Sequence, residues 1–328
     1  MPDVGGAPAQ TAPKMSELKT HNHLLDDRAA LDAAWEADGY WFFRDVLDRE
    51  AVGRLRAVFT DELERQGVID PVGEASTEGS VRYNGASLED YPFRMEPIAR
   101  LAPWRSFVAQ PKIEAFFTRL LGDKPFWVPT VEYRVTPPTE DPSRARLDAI
   151  HQDGPYSPGI PFRICWIPLA EIDADVGGLT LAEGLTDRIN RHPLDKGSNT
   201  AIPVEDIPAD RWRRATYRAG DVLLMHLWTP HSGLSNLSDR FRMSMDHRVM
   251  SVADRCPLVG DVAAISEEYV KVRSQGRDTL LSIDPDTYVR NNVGQKLSGR
   301  GIMDFFHVGD PVIVAYEGDR ASVVRPPH

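Results

Sequence analysis

Three side chains have the residue types and the setting of ligands for a single transition-metal ion. His151 and Asp153 flank Gln152, and residues i and i+2 of an extended strand face the same side, so both would point at one ion. A His-x-Asp pattern alone is common, but His231 ends a buried run before a polar turn and offers a third ligand. Two imidazoles and one carboxylate with open positions form the facial triad of non-haem Fe(II) oxygenases. The spacing therefore predicts an iron site.

Arg242 is the next candidate, because it follows the turn Ser232–Arg240. A guanidinium stays charged at any working pH and binds carboxylates with two hydrogen bonds. A histidine before a hairpin and an arginine after it can lie opposite each other on one face. We therefore expect Arg242 to bind the distal carboxylate of a 2-oxoacid that chelates the metal.

These residues need a rigid support, and the sequence pattern supplies helices first and strands afterwards. Helical apolar spacing, glycine stops and a possible N-cap at Asp48 mark the first part of the chain. The predicted elements there are a helix from Asp26 that ends at Gly39, a strand Tyr40–Phe43, a helix from Asp48 to Gly67, and a helix Lys112–Leu121 closed by Gly122.

After Gly122 the pattern changes to short runs of β-branched and aromatic residues between Pro, Gly and Asp. Several short strands without intervening helices predict an antiparallel sandwich or jelly roll with helices packed outside. The predicted strands are Phe126–Val135, Ala149–Asp153, Phe162–Leu169, Gly178–Ala182, Asp221–Trp228 and Phe241–Val249.

Composition excludes several classes of protein. The chain has 328 residues with a net charge of −11, which disfavours nucleic-acid binding and the demethylation of nucleic acids. Its apolar runs are too short for a membrane span, and no secretory signal is visible. Two cysteines, Cys165 and Cys256, cannot form a disulfide framework. We expect a soluble, cytoplasmic protein without a nucleic-acid or membrane partner.

The segment His151–Asp153, together with Trp166, Gly178 and the stretch GDVLLMHLWTPHSGLSN…FR, resembles the phytanoyl-CoA dioxygenase family, which includes ectoine hydroxylase. The opening Asp38-Gly39-Tyr40 is also similar, and the resemblance covers roughly residues 30–249. It implies a mainly β protein with flanking helices, a double-stranded β-helix (cupin-like jelly roll). It also implies Fe(II) bound by His151, Asp153 and His231, with O2 and 2-oxoglutarate as cosubstrates and Arg242 on the C5 carboxylate of 2-oxoglutarate.

The sequence departs from the family pattern beside the second histidine. The family has His-Gly-Ser where this chain has His231-Ser232-Gly233, so the hydroxyl that would assist Arg242 is displaced. Thr180 or Ser244 is the expected replacement. Trp166 falls where the family has an aromatic residue beside the cosubstrate, although a core tryptophan needs no such role. The turn Glu183–Thr186 also differs, which predicts a reshaped pocket rim.

The resemblance implies hydroxylation of an unactivated C–H bond of a small-molecule metabolite, with release of succinate and CO2. Oxidative cyclisation or desaturation at the same site is the first alternative, and a non-catalytic metal-binding jelly roll is the second. Because Asp153 occupies a place that halogenating relatives leave to chloride, halogenation is not expected. The predicted organisation is a disordered tail (1–16), an oxygenase domain (17–250, core 123–250), and an extension (251–328) on the same domain. The protein would be a monomer or a homodimer.

Other polar residues have structural explanations. His226 and His247 are five residues from His231 and Arg242, an odd spacing that places them on the opposite face of a regular strand. Cys165 is expected to pack as a small apolar residue. The arginine-rich segment Thr186–Thr216 is interpreted as a solvated loop rather than a substrate-binding cover, and Arg82, Tyr83, Asn84 and Arg94 are interpreted in the same way. The segment Pro257–His328 is interpreted as a helical and irregular extension that either covers the active site or forms a dimer contact, and the sequence does not decide between these roles.

Overall fold

The computed structural model describes residues 14–71, 80–88, 102–139, 150–156, 159–187, 202–291 and 296–327. Most of the predicted tail, much of the arginine-rich segment, and Arg94 lie outside these ranges. Ser16 and Glu17 form a short strand, so the tail predicted for residues 1–16 extends too far.

The described part of the chain contains four α-helices and sixteen strands, together with short 3-10 helices. The helices are α1 (Arg28–Asp38), α2 (Arg49–Arg65), α3 (Ala102–Val108) and α4 (Pro111–Leu121). The strands are β1 (Ser16–Glu17), β2 (Tyr40–Phe43), β3 (Pro125–Thr136), β4 (Arg163–Pro168), β5 (Gly178–Ala182), β6 (Trp212–Arg214), β7 (Val222–Met225), β8 (His231–Leu234), β9 (Arg242–Ser251), β10 (Leu258–Ile265), β11 (Tyr269–Ser274), β12 (Arg277–Ser282), β13 (Tyr288–Arg290), β14 (Lys296–Ser298), β15 (Pro311–Glu317) and β16 (Arg320–Arg325).

The predicted helix boundaries are largely confirmed, because local signals determine them. The Asp27 carboxylate accepts a hydrogen bond from the Ala30 amide at the start of α1, and Gly39 ends this helix in the left-handed conformation. Gly122 ends α4 in the same way. Asp48 occupies the N-cap position of α2, but its side chain makes no capping hydrogen bond.

A five-stranded sheet with the order β2-β7-β4-β9-β3 supports the helices. One of its faces packs against α1, α2 and α4 through residues such as Trp35, Phe59 and Phe117 on the helices and Met243 and Met245 on β9. Because side chains alternate along β9, Arg242, Ser244, Asp246 and Arg248 belong to the opposite face.

A four-stranded sheet, β1-β6-β5-β8, provides the second layer. An apolar cluster with members on both sheets, among them Trp166, Leu181 and Leu223, fills the space between them. The fold is therefore a jelly roll with flanking helices, as the sequence predicted.

Two predictions for the ligand-bearing segments were wrong. Within the predicted strand Ala149–Asp153, the described residues form only an isolated bridge from His151 to His231, followed by a 3-10 turn over Gly154–Tyr156. The predicted hairpin between His231 and Arg242 is also absent, because β8 belongs to the small sheet and β9 to the large one. The intervening loop crosses between the layers.

The C-terminal part was predicted to be helical and irregular, and this was wrong. Strands β10–β16 form a sheet with the order β12-β11-β10-β15-β16-β13-β14, and a further pairing of β12 with β16 closes five of the strands into a small barrel. Alternating valines, such as Val270 and Val272 or Val312 and Val314, fill its interior. The signal was present in the sequence as apolar alternation with a period of two.

The small barrel, residues 258–325, packs against the jelly roll through its outer face. Ile313 and Val323 share an apolar cluster with Phe162 and Met250 of the jelly roll. None of the helices within the described ranges is long and apolar enough to cross a membrane.

Candidate metal centre

His151, Asp153 and His231 meet at one point between the two sheets of the jelly roll. Each residue offers one ligand atom, and these atoms lie within 4.8 Å of one another. His151 Nε2 is 3.6 Å from Asp153 Oδ1, and His231 Nε2 is 4.0 Å from the same oxygen. The structure thus brings together the three residues that the sequence singled out.

The main chain fixes the relative position of the two histidines. The amide of His151 donates to the His231 carbonyl at 3.1 Å, and the amide of His231 donates to the His151 carbonyl at 3.0 Å. His231 Nδ1 is also 3.0 Å from the Thr229 carbonyl oxygen, which can only accept. Nδ1 therefore carries the proton, and Nε2 keeps its lone pair for a metal.

Arg248 supports the carboxylate ligand and was missed by the sequence analysis. Its Nη2 donates to Asp153 Oδ2 at 3.0 Å, and its Nη1 lies 3.2 Å from Asp246 Oδ1. The signal that could have revealed it is its even spacing from Arg242, which places both arginines on the same face of one strand.

Burial raises the pKa of Asp153, but nearby positive charge outweighs this effect and lowers it to about 2. Among the charges that lower the pKa, Arg248 makes the largest contribution, followed by His231, His151 and Arg134. Asp153 is thus ionised at neutral pH, as a metal ligand must be.

Arg242 reaches from the large sheet to the small one. Its Nη1 donates to the carbonyl oxygen of Leu234 on β8 at 3.0 Å and approaches that of Gly178 on β5 at 3.4 Å. The backbone at Gly177 lies close to the backbone of Leu234. Glycine is needed there, because φ is +88° and a Cβ would lie 2.6 Å from the Leu234 oxygen. Arg242 is buried, so a charge-assisted bond to a ligand would be little screened.

The family model of phytanoyl-CoA dioxygenase (PhyH) matches residues 35–244. The chain belongs to the phytanoyl-CoA dioxygenase family. It is accordingly a non-haem Fe(II)- and 2-oxoglutarate-dependent oxygenase, with Fe(II), 2-oxoglutarate and O2 as cofactor and cosubstrates. The match ends before the C-terminal barrel begins.

Two curated relatives carry the same name, 1-deoxypentalenic acid 11-beta-hydroxylase. The protein of Streptomyces arenae is 30% identical over 244 residues, which cover 69% of this chain and 82% of the relative. The protein of Streptomyces exfoliatus is 28% identical over 239 residues, with the same coverage.

Two solved structures illustrate the partial similarity of this chain to known folds. The alpha-ketoglutarate-dependent carbocyclase SnoK from nogalamycin biosynthesis is 22% identical with a TM-score of 0.46, covering 72% of this chain and 88% of that one. EctD from S. alaskensis with bound Fe is 17% identical with a TM-score of 0.44, covering 75% of this chain and 84% of that one.

The altered order His231-Ser232-Gly233 in this family member has a clear structural consequence. In the β5–β8 pairing, Leu181 lies opposite His231, and Thr180 lies opposite Ser232. Because Leu181 belongs to the cluster between the sheets, Thr180 and Ser232 share the outer face of the small sheet. The Thr180 hydroxyl donates to the Arg213 carbonyl oxygen at 2.9 Å. The structure therefore does not bring Thr180 to Arg242.

Ser244 is placed differently. It lies two residues beyond Arg242 on the same inward face of β9, and its buried Oγ has no hydrogen-bond partner among the described residues. An orphaned buried hydroxyl beside a buried guanidinium is an arrangement that a carboxylate ligand would satisfy. Ser244 is the better placed of the two candidates.

Trp166 lies in the cluster between the sheets, opposite Asp246 on β9. Its ring packs edge-on against Tyr217 with a centroid separation of 4.7 Å. This packing accounts for its burial, so its role beside the cosubstrate stays a prediction.

Gln152 faces away from the metal ligands and ties two other segments to them. Its buried amide Nε2 donates to the carbonyl oxygens of Asp187 and Trp228. Gly154, two residues further on, packs closely against Trp228, because a Cβ at this position would lie 2.7 Å from the Trp228 ring. The loop that carries His151 and Asp153 is therefore held in place by the hydrogen bonds of Gln152 and by the close packing at Gly154.

The remaining histidines on these strands do not join the metal centre. His247 is stacked on Trp104 with a centroid separation of 3.2 Å, and its complete burial lowers its pKa well below 6.5. His226 accepts a hydrogen bond from the Trp228 amide and packs edge-on against Trp35. Cys165 is fully buried among apolar residues, as predicted.

Proposed function

We propose that this family member hydroxylates an unactivated C–H bond of a small-molecule natural-product intermediate, and that 2-oxoglutarate is converted to succinate and CO2. The observation that carries the proposal is the convergence of His151, Asp153 and His231, whose ligand atoms lie within 4.8 Å of one another. The two relatives named as hydroxylases of 1-deoxypentalenic acid support hydroxylation and a substrate of this kind.

The residues present fit a ferrous ion. Two imidazole nitrogens and one ionised carboxylate are the donor set of Fe(II) oxygenases, and Arg248 holds the carboxylate oxygen that faces away from the histidines. Because Asp153 fills the third protein position, the site favours oxygen transfer over halogenation.

The cosubstrate would lie along the inward face of β9. Arg242 is proposed to bind the C5 carboxylate of 2-oxoglutarate through charge-assisted hydrogen bonds, and the orphaned Ser244 hydroxyl to donate a further one. Trp166 would contact the carbon chain of the cosubstrate from β4.

When bound together, Fe(II), 2-oxoglutarate and O2 supply the oxidising power that breaks a substrate C–H bond. The protein's part is to hold the ion with three side chains, to orient 2-oxoglutarate through Arg242, and to exclude water. The apolar cluster between the sheets, with Trp166, Leu223 and Met225, serves this last purpose.

The first experiment adds Fe(II) and 2-oxoglutarate to the full-length protein without oxygen and records the visible spectrum. A charge-transfer band is expected, and admission of air should then yield succinate. Candidate substrates, including 1-deoxypentalenic acid, are screened for a mass increase of one oxygen atom.

The matched variant for this experiment is Asp153→Asn, which keeps the size of the ligand and removes its charge. The band and the succinate should be lost in this variant and kept in His226→Gln, which alters a histidine outside the site. If the wild-type protein shows neither the band nor succinate, the proposed function is wrong.

A further inference from the structure

Strand β13 and its neighbour β16, at the outside of the C-terminal barrel, carry hydrogen-bond donors on one face that are buried or half-buried. Tyr288 and Arg290 share one face of β13, and Val323 and Arg325 share the same face of the neighbouring strand β16. Tyr288 and Val323 belong to the apolar cluster that joins the barrel to the jelly roll, so this face is turned toward the jelly roll.

The two arginines are neighbours. In the parallel pairing of β13 with β16, Tyr288 lies beside Val323 and Val289 beside Val324, and the same register places Arg290 beside Arg325. Like charges on neighbouring strands repel each other, and the repulsion is larger where side chains are withdrawn from water. Arg325 is only 4% exposed.

Two atoms of this set lack partners. The hydroxyl of Tyr288 and Nε of Arg290 are both buried, and neither has a hydrogen-bond partner among the described residues. A buried donor without an acceptor costs free energy, so such groups call for an explanation. A guanidinium can only donate, so an acceptor with negative charge would satisfy both Nε of Arg290 and the Tyr288 hydroxyl.

The position of this face relates it to the metal centre. Met250 lies two residues beyond Arg248 on the inward face of β9, which is about 7 Å along a strand, and packs in the same cluster as Tyr288. On the other side, a Cβ at Gly159, in the loop that follows Asp153, would lie 3.3 Å from Ser322 Oγ on β16. The barrel therefore adjoins the segments that carry Asp153 and Arg248.

We propose that Tyr288, Arg290 and Arg325 form an anion-binding subsite that receives the carboxylate of an acidic organic substrate between the barrel and the jelly roll. This inference rests on the proposed function, because it takes the bound acid to be the substrate of the oxygenase. It gives the C-terminal barrel a part in substrate binding. The apolar neighbours Ile313 and Val323 indicate a ligand whose carboxylate is attached to a hydrocarbon skeleton.

The test measures binding of cyclohexanecarboxylate to the full-length protein by ligand-detected NMR, with the neutral cyclohexanecarboxamide as matched probe. The measurements use Arg242→Gln protein at constant ionic strength, so that the carboxylate site proposed for 2-oxoglutarate is removed. Saturable binding of the carboxylate is expected, with the amide bound roughly tenfold or more weakly, because charge-assisted bonds are lost.

Two further substitutions, made in this background, locate the site. Arg290→Gln should weaken carboxylate binding roughly tenfold or more, whereas Arg277→Gln on exposed β12 of the same barrel should leave it unchanged. Tyr288→Phe removes only an oxygen that has no partner, so the ligand-free protein should melt at the same or a higher temperature while carboxylate binding falls. This second variant separates a binding defect from a folding defect.

The proposal is overturned if the carboxylate does not bind, if it binds no better than the amide, or if Arg290→Gln and Tyr288→Phe bind it like their parent. Displacement of the carboxylate by saturating 2-oxoglutarate would also overturn it, since both would then share one site. The proposed function is tested separately. For this test, succinate formation from 2-oxoglutarate is measured in a protein that carries Arg290→Gln and keeps Arg242. The two ideas can therefore fail independently.

Discussion

The main chains of His151 and His231 exchange two hydrogen bonds, at 3.1 and 3.0 Å, so that residues far apart in sequence become immediate neighbours. This bridge joins the loop that carries Asp153 to the first residue of β8. Because both imidazoles are attached to one bridge, their Nε2 atoms approach the same oxygen of Asp153 before any metal binds. The ordering cost of metal binding is thereby reduced.

Removal of one imidazole should abolish tight metal binding. His231→Ala is expected to lower Fe(II) or Co(II) affinity by more than about 100-fold. Loss of a metal ligand should lower this affinity more than loss of a contact that only orients a ligand. The measurement is an anaerobic metal titration followed by absorption. His226→Ala is the control, and a similar loss in both variants would contradict the assignment.

Arg248→Gln should weaken metal binding without unfolding the protein. The variant loses the contact to Asp153 Oδ2, so the carboxylate is less well oriented and less strongly held in its ionised form. A loss of roughly 10- to 100-fold in metal affinity is expected. Arg240→Gln, which breaks the ion pair with Asp173 outside the site, should bind metal like the wild type.

Arg242→Ala should reduce the apparent affinity for 2-oxoglutarate roughly 10- to 150-fold, the equivalent of one lost charge-assisted hydrogen bond. The measurement is the dependence of succinate formation, or of the anaerobic charge-transfer band, on 2-oxoglutarate concentration. An unchanged dependence would show that Arg242 does not bind the cosubstrate.

Ser244→Ala and Thr180→Val separate the two hydroxyls that the sequence left as alternatives. Ser244→Ala should weaken 2-oxoglutarate binding roughly 2- to 10-fold, as expected for a neutral hydrogen bond. Thr180→Val should leave this affinity unchanged and lower stability instead, because its hydroxyl donates to Arg213 on the outer face of the small sheet. The reverse result would contradict the placement of Ser244.

Folding stability should fall as the pH is lowered below 6.5, the ordinary pKa of histidine. Burial lowers the pKa of His247 well below this value, so in acid the unfolded chain binds a proton that the folded chain does not. Between about pH 7.5 and about pH 5.5 this difference lowers the free energy of unfolding by on the order of 1 kcal/mol. His21 and His226, whose pKa values burial also lowers, act in the same direction.

The pH dependence is measured by urea unfolding at both pH values. His247→Phe keeps a ring to stack on Trp104 and should show a smaller loss of stability on acidification than the wild type. The control is His23→Gln, which alters an exposed histidine and should keep the full loss. Equal pH dependence in His247→Phe and the wild type would show that His247 is not the source.

Much of the architecture was predictable because its signals are local. The cap at Asp27, the left-handed glycines at positions 39 and 122, and the apolar runs that became β4, β5 and β7 depend on neighbours in sequence. The C-terminal barrel is encoded equally locally, by alternating valines, but it lies beyond the residues that the family resemblance covers.

The residue types and spacing of His151, Asp153 and His231 pointed to an iron site, and the resemblance to the phytanoyl-CoA dioxygenase family added 2-oxoglutarate and the expected role of Arg242. Sequence could not show that His231 and Arg242 lie on different sheets, because this depends on where the loop between them crosses the layers. Nor could it show that Arg248 supports Asp153, that Thr180 faces outward while Ser244 faces inward, or that Arg290 lies beside Arg325. Each of these relationships follows from strand register, which only long-range pairing determines.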